Sequence, residues 1–395
     1  MEIAPIVRRT GDAAFFERFS EKNAEKVRAF HASFPMYRET PLRPLSGLAN
    51  KLGIRGFYVK DESYRFGLNA FKVLGGSWAA ARYVAKRLDI PLDELSFERI
   101  VSDEVRTRLG DVTFVTTTDG NHGRGVAWTA RQLRQKAVVY MPKGTRPERL
   151  ENIRKEGADA SITEMSYDDA VRFTRRQAEA NGWVMMQDTT LPGYSEIPGW
   201  IMEGYGTMAF EAYRQLPEPP THIFVQAGVG SMAGAVAAFF ASVYSQERKP
   251  IITVVEPLTA DCVFQTAKAA DGKLHAASGK LDTMMAGLAC GEVCGLAWEL
   301  LERCADFAII CGDEASVEGM RLLASPVGGD PAVVSGESGA ATTGLAAMLL
   351  SDPACDGIRR TLKLDGQSVI LCFSTEGATD VENYCRVTGK KPFPN

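Results

Sequence analysis

Short apolar, β-branched runs alternate along the chain with longer stretches whose apolar positions recur at helical spacing. The runs at 57–60, 113–117, 137–141, 160–163 and 184–187 read as strands, as do those at 222–226, 251–256, 307–311 and 368–373. Between them, 69–87, 125–135, 146–156, 168–180 and 232–244 read as helices. This alternation predicts βαβ units, and so parallel sheets with helices on both faces. The proline-rich stretch Pro217-Glu218-Pro219-Pro220 stands just before the run at 222–226 and reads as a helix-to-strand turn, not a domain linker. No internal repeat or low-complexity tract interrupts the pattern.

At 395 residues the chain exceeds what one hydrophobic core usually carries, so two domains are expected. The composition, 45% hydrophobic and 24% charged, is that of a soluble globular protein. A net charge of -4, with both signs spread along the chain, gives no basic block for a nucleic-acid partner. No apolar run approaches the roughly 18 residues of a membrane span. The first residues lack the charged-then-apolar pattern of a secretory signal, so a cytoplasmic location is expected. There the eight cysteines should be reduced. The four histidines, His31, His122, His222 and His275, are scattered, and no metal site is expected.

Three passages carry candidate chemistry. Gly228-Val229-Gly230-Ser231-Met232 follows a strand and opens an Ala-rich helix, where backbone N–H groups and the helix dipole favour a phosphate. A tight turn with no ligand is the plain alternative, and the spacing to Glu256 fits a dinucleotide fingerprint poorly. In Asn69-Ala70-Phe71-Lys72-Val73-Leu74-Gly75-Gly76, Lys72 is either a solvated lysine near a helix start or a desolvated amine able to form a Schiff base. The third passage, Thr116-Thr117-Thr118-Asp119-Gly120-Asn121-His122-Gly123, lies between a strand and a helix, where α/β proteins place ligands. An ordinary polar turn with a helix cap is its alternative.

Phe71-Lys72, Asp119-Gly120-Asn121-His122-Gly123 and Gly228-Val229-Gly230-Ser231, in that order, resemble the fold type II pyridoxal-phosphate (PLP) enzymes. Met141-Pro142-Lys143-Gly144 fits the same superfamily. Within it the chain resembles the diaminopropionate ammonia-lyase family most. That resemblance rests on the stretch from Arg65 to Lys72, the loop from Thr117 to Gly125, Gln187-Asp188-Thr189 with Gly193-Tyr194, Met284 to Leu288, and Phe373 to Asp380.

The resemblance implies two three-layer α/β domains with mostly parallel sheets, of the tryptophan synthase β-like kind. The larger would comprise 1–74 and 181–395, and the smaller would be an insertion at 75–180, with the active site between them. It implies pyridoxal 5'-phosphate as cofactor and a homodimer. Lys72 would form the Schiff base, Asn121 would meet the phenolic oxygen, and Gly228, Val229, Gly230, Ser231 and Met232 would cradle the phosphate. Ser374, with Thr375 as the alternative, would face the pyridine nitrogen. Thr118, Asp119 and Asp188 would bind substrate, and Lys72, Asp119 and Asp188 would be catalytic.

In the related dehydratases the loop before Asn121 receives the substrate α-carboxylate, yet here it carries Asp119. Two carboxylates in contact repel by roughly a few kcal/mol at an effective dielectric near 20. Asp119 should therefore face a cation or a proton, which a second amino group on the substrate supplies. Asp188 is either a cap or a second acid. The reaction implied is elimination of ammonia from 2,3-diaminopropionate, either isomer, giving pyruvate and two ammonia. A serine or threonine dehydratase-like ammonia-lyase, or a non-catalytic ligand-binding α/β protein, are the alternatives. Cys262 and Cys290 flank loop-like segments and are expected near one another, paired or as two free thiols.

Overall fold

All nine predicted runs form strands in the computed structural model, which describes residues 1–9, 13–118, 120–245 and 247–392. They are β3 (Gly56–Asp61), β4 (Thr113–Thr117), β5 (Lys136–Met141), β6 (Asp159–Ile162), β7 (Val184–Met185), β8 (His222–Gln226), β9 (Ile251–Pro257), β10 (Phe307–Cys311) and β11 (Val369–Ser374). Two strands that the pattern did not mark, β1 (Glu2–Pro5) and β2 (Leu42–Pro44), complete the set.

The chain divides into two units. The larger comprises Met1–Glu21, Glu39–Ala70 and Met208–Asn395, and the smaller comprises Lys22–Arg38 and Phe71–Thr207. The smaller unit takes in all of 75–180 together with flanking stretches and the helix Glu21–Ala32 almost entirely.

The larger unit holds a seven-stranded sheet in the order β1-β10-β9-β8-β11-β3-β2. Its five inner strands run parallel. Every residue of β8 and β11 is buried, as strands covered on both faces must be. The Ala-rich helix Ser231–Val243 and the helix Glu337–Ser351 are themselves buried along most of their length. Only the edges are antiparallel: β1 on β10 and β2 on β3. The smaller unit holds a four-stranded parallel sheet, β6-β5-β4-β7. The α/β class and the parallel sheets are those expected. Pro217–Pro220 turns the helix Glu196–Gln215 into β8, also as expected.

Two elements end differently from their apolar pattern. The run at 184–187 stays in the ladder only through Met185. The helix expected from 69 starts at Val73, because Asn69 is left-handed at φ 61° and Phe66 at φ 51°. For a phenylalanine such a backbone costs roughly 1–2 kcal/mol. A buried ion network next to it holds the segment in place. Arg65 donates to both oxygens of Glu62 at 2.8 Å and to both of Glu211 at 2.7–2.8 Å, and Lys60 Nζ stands 2.8 Å from Glu211. Burial lowers the Lys60 pKa, while Glu211 and Glu62 pull it back up. Among the described residues no helix is long and apolar enough to cross a membrane, and no group of three or more His, Cys, Asp or Glu could hold a metal ion.

Candidate active site

In the larger unit, β8 runs into the glycine loop. Gly230 caps the helix Ser231–Val243 with φ +91°, a conformation that L side chains rarely adopt. At Gly228 a Cβ would come within 3.0 Å of Cys290 Sγ and 3.1 Å of the Gly287 carbonyl. The loop thus offers bare backbone ahead of the N–H groups of a helix start, which is how an anion the size of a phosphate is held. The neighbouring strand brings hydroxyls. Ser374 Oγ donates to Ser335 Oγ at 2.7 Å. The Gln226 amide donates to the Ser338 and Phe373 carbonyls, both at 2.9 Å, and to Thr375 Oγ1 at 3.1 Å. That last bond occupies a lone pair of Thr375, so its own proton can be given to an acceptor such as a ring nitrogen. A glycine cradle that any Cβ would fill, beside buried hydroxyls, fits a phosphorylated heteroaromatic cofactor.

Cys262 and Cys290 both lie against this loop. Cys262 Sγ is 3.6 Å from the Gly228 carbonyl oxygen, and both thiols are free. Cys262 also touches Glu256 at the end of β9, 3.7 Å away. Glu256 is fully buried and accepts from the Val263 and Phe264 N–H groups at 2.9 and 2.7 Å. Burial pushes its carboxyl up to about 8, against the pull of those two N–H groups. The folded protein therefore holds this proton between pH 4.5 and about 8, where the unfolded chain has released it. Stability from this group is complete below 4.5 and is lost as pH rises through the window. The loss amounts to at most about 1.4 kcal/mol per pH unit. Melting temperatures measured from pH 5 to pH 8 should fall less steeply for Glu256→Gln than for the parent. Parallel curves would refute the assignment.

The smaller unit brings together Lys72, His122 and Asp188. Lys72 stands at the N-cap of the helix Val73–Leu88, with Phe71 and Tyr205 rings 5.5 and 6.0 Å from its Nζ. Its ammonium donates to Asp188 Oδ2 at 2.5 Å, and only 20% of the Lys72 side chain is exposed. His122, the second residue of the helix Asn121–Gln132, is buried. Its Nε2 lies 2.7 Å from the Met186 carbonyl, so that nitrogen carries a proton, and its Nδ1 faces Asp188 Oδ2, 4.0 Å away. Burial pushes the Asp188 carboxyl up, but Lys72 and then His122 outweigh it and hold it at about 2. Asp188 is thus a carboxylate at neutral pH, suited to receiving a proton or holding an ammonium group.

Thr118 is buried, and its Oγ1 accepts from the Gly120 N–H at 2.9 Å, which closes the loop that leads into Asn121. Asp119 lies outside the described residues. Lys72, Asn121, Thr118 and Asp188 belong to the smaller unit, and Gly228–Met232, Ser374 and Thr375 to the larger. Sequence reasoning gave no role to His122, Tyr194, Gln226 or Glu256, although the first two stand inside passages it quoted. A buried histidine in an Asn-His-Gly helix start was the available signal.

A family model described as "pyridoxal-phosphate dependent enzyme" matches residues 34–360. The diaminopropionate ammonia-lyase of Salmonella typhimurium (strain LT2) is 46% identical over 379 residues, covering 95% of this chain and 94% of that protein. Among solved structures, the holo diaminopropionate ammonia lyase from Escherichia coli superposes with a TM-score of 0.90 at 43% identity, covering 98% of this chain and 96% of that one. The same enzyme in complex with D-serine gives the same TM-score, identity and coverage.

Proposed function

From the premise that this chain belongs to the pyridoxal-phosphate dependent enzymes, and among them to the diaminopropionate ammonia-lyases, we propose the following division of labour for its residues. The reaction is the α,β-elimination of 2,3-diaminopropionate to pyruvate and two ammonia, with pyridoxal 5'-phosphate as cofactor. The cofactor supplies an electron sink when the α-proton leaves. Lys72 would hold it covalently, the backbone of Gly228, Val229, Gly230, Ser231 and Met232 would hold its phosphate, and Asn121 and the Ser374 or Thr375 hydroxyl would orient its ring.

Lys72 takes the α-proton on one face of the substrate and Asp119 on the other, which gives turnover of both isomers. Asp188 pairs with the ammonium that Lys72 becomes, and so keeps a proton at hand for the departing β-amine. Thr118 closes the substrate loop. The observation that carries this reading is the 2.5 Å pair of Lys72 and Asp188, two residues 116 positions apart. A cytoplasmic setting, in which its eight cysteines would stay reduced, belongs to the same reading. A homodimer is the assembly that the family resemblance implies.

Pyruvate release from L- and D-2,3-diaminopropionate, compared with L- and D-serine at equal concentration, tests the reading. Both diamino isomers are expected to outrun either serine. A preference for L-serine would make the enzyme dehydratase-like and remove the argument for Asp119.

A further inference from the structure

β7 is only two residues long. It pairs with β4 through Phe114↔Val184 and Val115↔Met185, makes a last backbone bond from the Met186 N–H to the Val115 carbonyl at 2.8 Å, and then leaves the ladder, although β4 continues to Thr117. Three side chains take over where the ladder stops. The Gln187 side chain reaches back to β4, where its Oε1 accepts from the Thr117 N–H at 2.9 Å and from Thr116 Oγ1 at 3.0 Å. His122 Nε2 bonds the Met186 carbonyl at 2.7 Å. Tyr194 makes two bonds at once: its hydroxyl donates to the Met185 carbonyl and accepts from the Gln187 N–H, each at 2.9 Å.

Tyr194 can reach that spot because Leu191 and Tyr194 exchange backbone hydrogen bonds at 2.8 and 3.1 Å. This tight turn folds the ring back under the strand end. There the ring packs on the small cluster of Val115, Val171, Ala178 and Met185. The next residue after the bonded Gln187 N–H group is Asp188 itself. The carboxylate that faces Lys72 is therefore carried on a backbone with no strand partner, held by a phenol on one side and an imidazole on the other. An error of 1 Å in placing such a group can cost about 100-fold in rate.

We propose that Tyr194 is a positioning residue for the elimination: its hydroxyl, bridging Met185 and Gln187, fixes the strand end from which Asp188 meets Lys72. This rests on the reading of Lys72 and Asp188 as the working pair. It involves no transfer of the phenol's proton and requires no contact with substrate.

The test is a double-mutant cycle on the holoenzyme with Tyr194→Phe, Asp188→Asn and both together. Each is assayed for pyruvate release from both diaminopropionate isomers and for melting temperature. Phenylalanine keeps the ring in its packing and removes only the bridge. Tyr194→Phe is expected to lower kcat about tenfold with KM within about twofold, because an interaction that places a reacting group is lost rather than one that binds substrate. In the Asp188→Asn background the same change is expected to cost less than about twofold, since residues that act as a unit are not additive. Val115→Ala, which loosens the same cluster without touching the bridge, serves as the stability control and is expected to leave kcat within about twofold.

A tenfold loss that persists in the Asp188→Asn background would overturn the proposal, as would an equal loss in Val115→Ala at the same melting temperature, because either would make the effect one of general stability. A parental kcat in Tyr194→Phe would overturn it too. Parental turnover in Asp188→Asn alone would place the failure one step earlier, in the pairing of Lys72 with Asp188.

Discussion

Lys72→Ala is expected to abolish turnover of both diaminopropionate isomers, by roughly 10⁴-fold or more, because covalent attachment and proton transfer are lost together. The visible absorbance of an imine-bound cofactor should disappear in the same variant. Cofactor should still bind, since the glycine loop and its helix start are independent of the lysine. A second consequence is physical. Asp188 loses the charge that does most to hold its carboxyl down, leaving a buried carboxylate with only His122 against the push of burial. Breaking a buried pair costs up to about 3–5 kcal/mol, and somewhat less here because part of the lysine is exposed.

Lys72→Arg separates the two effects. A guanidinium stays protonated and can pair with Asp188, so stability should recover, but it cannot attach the cofactor. Calorimetry together with pyruvate assays of the two variants should show equal inactivity and unequal melting temperatures. Substantial lyase activity in either, with cofactor bound, would remove Lys72 from the reaction.

Asp119→Asn should give a lopsided defect. If Asp119 only caps the turn between Thr118 and Asn121, an amide oxygen caps nearly as well and the change is mild. If it is the base for one isomer, the amide cannot take the proton, and turnover of that isomer falls by roughly 10²–10⁴-fold. The other isomer, deprotonated by Lys72 on the opposite face, keeps its base. It loses only the carboxylate's bond to the substrate ammonium, about 1.5–3 kcal/mol for a charged hydrogen bond. The D-isomer is expected to suffer more. Separate kcat/KM values for the L- and D-substrates decide the matter: a small, equal loss for both would leave Asp119 as a cap.

What the sequence could tell followed from where the chain buries itself on both faces. Runs such as Ile223-Phe224-Val225 and Ile370-Leu371-Cys372 have no polar side to show, and their strand character was legible. The edge strands were not. Glu2–Pro5 and Leu42–Pro44 are short, mostly exposed or half-buried and closed by proline, so nothing in them demands a strand until a partner supplies one, β10 for the first and β3 for the second. The same holds in the candidate site. Lys72 and Asp188 could each be singled out, but no spacing rule joins positions 116 apart. Tyr194 stood in a visible Gly-Tyr turn, yet the task of its hydroxyl depends on β7 stopping at Met185, which the apolar run through Met186 conceals. Arg65 and Glu211 are buried only because they meet each other, and composition alone would have put both in water.

The strand order also bears on how the protein is made. β4 to β7 lie within 113–185, so the sheet of the smaller unit can close while the rest of the chain is still being synthesised. The larger sheet cannot. β1 waits for β10 and β3 waits for β11, each across roughly 300 residues, which at about 5–20 residues per second is a delay of some 15–60 s. When Lys72 and Asp188 have been made, the strand that carries Ser374 is still roughly 180 residues away. The larger unit therefore lacks β11, an inner strand of its sheet, until residues 369–374 are made, long after the sheet of the smaller unit can close.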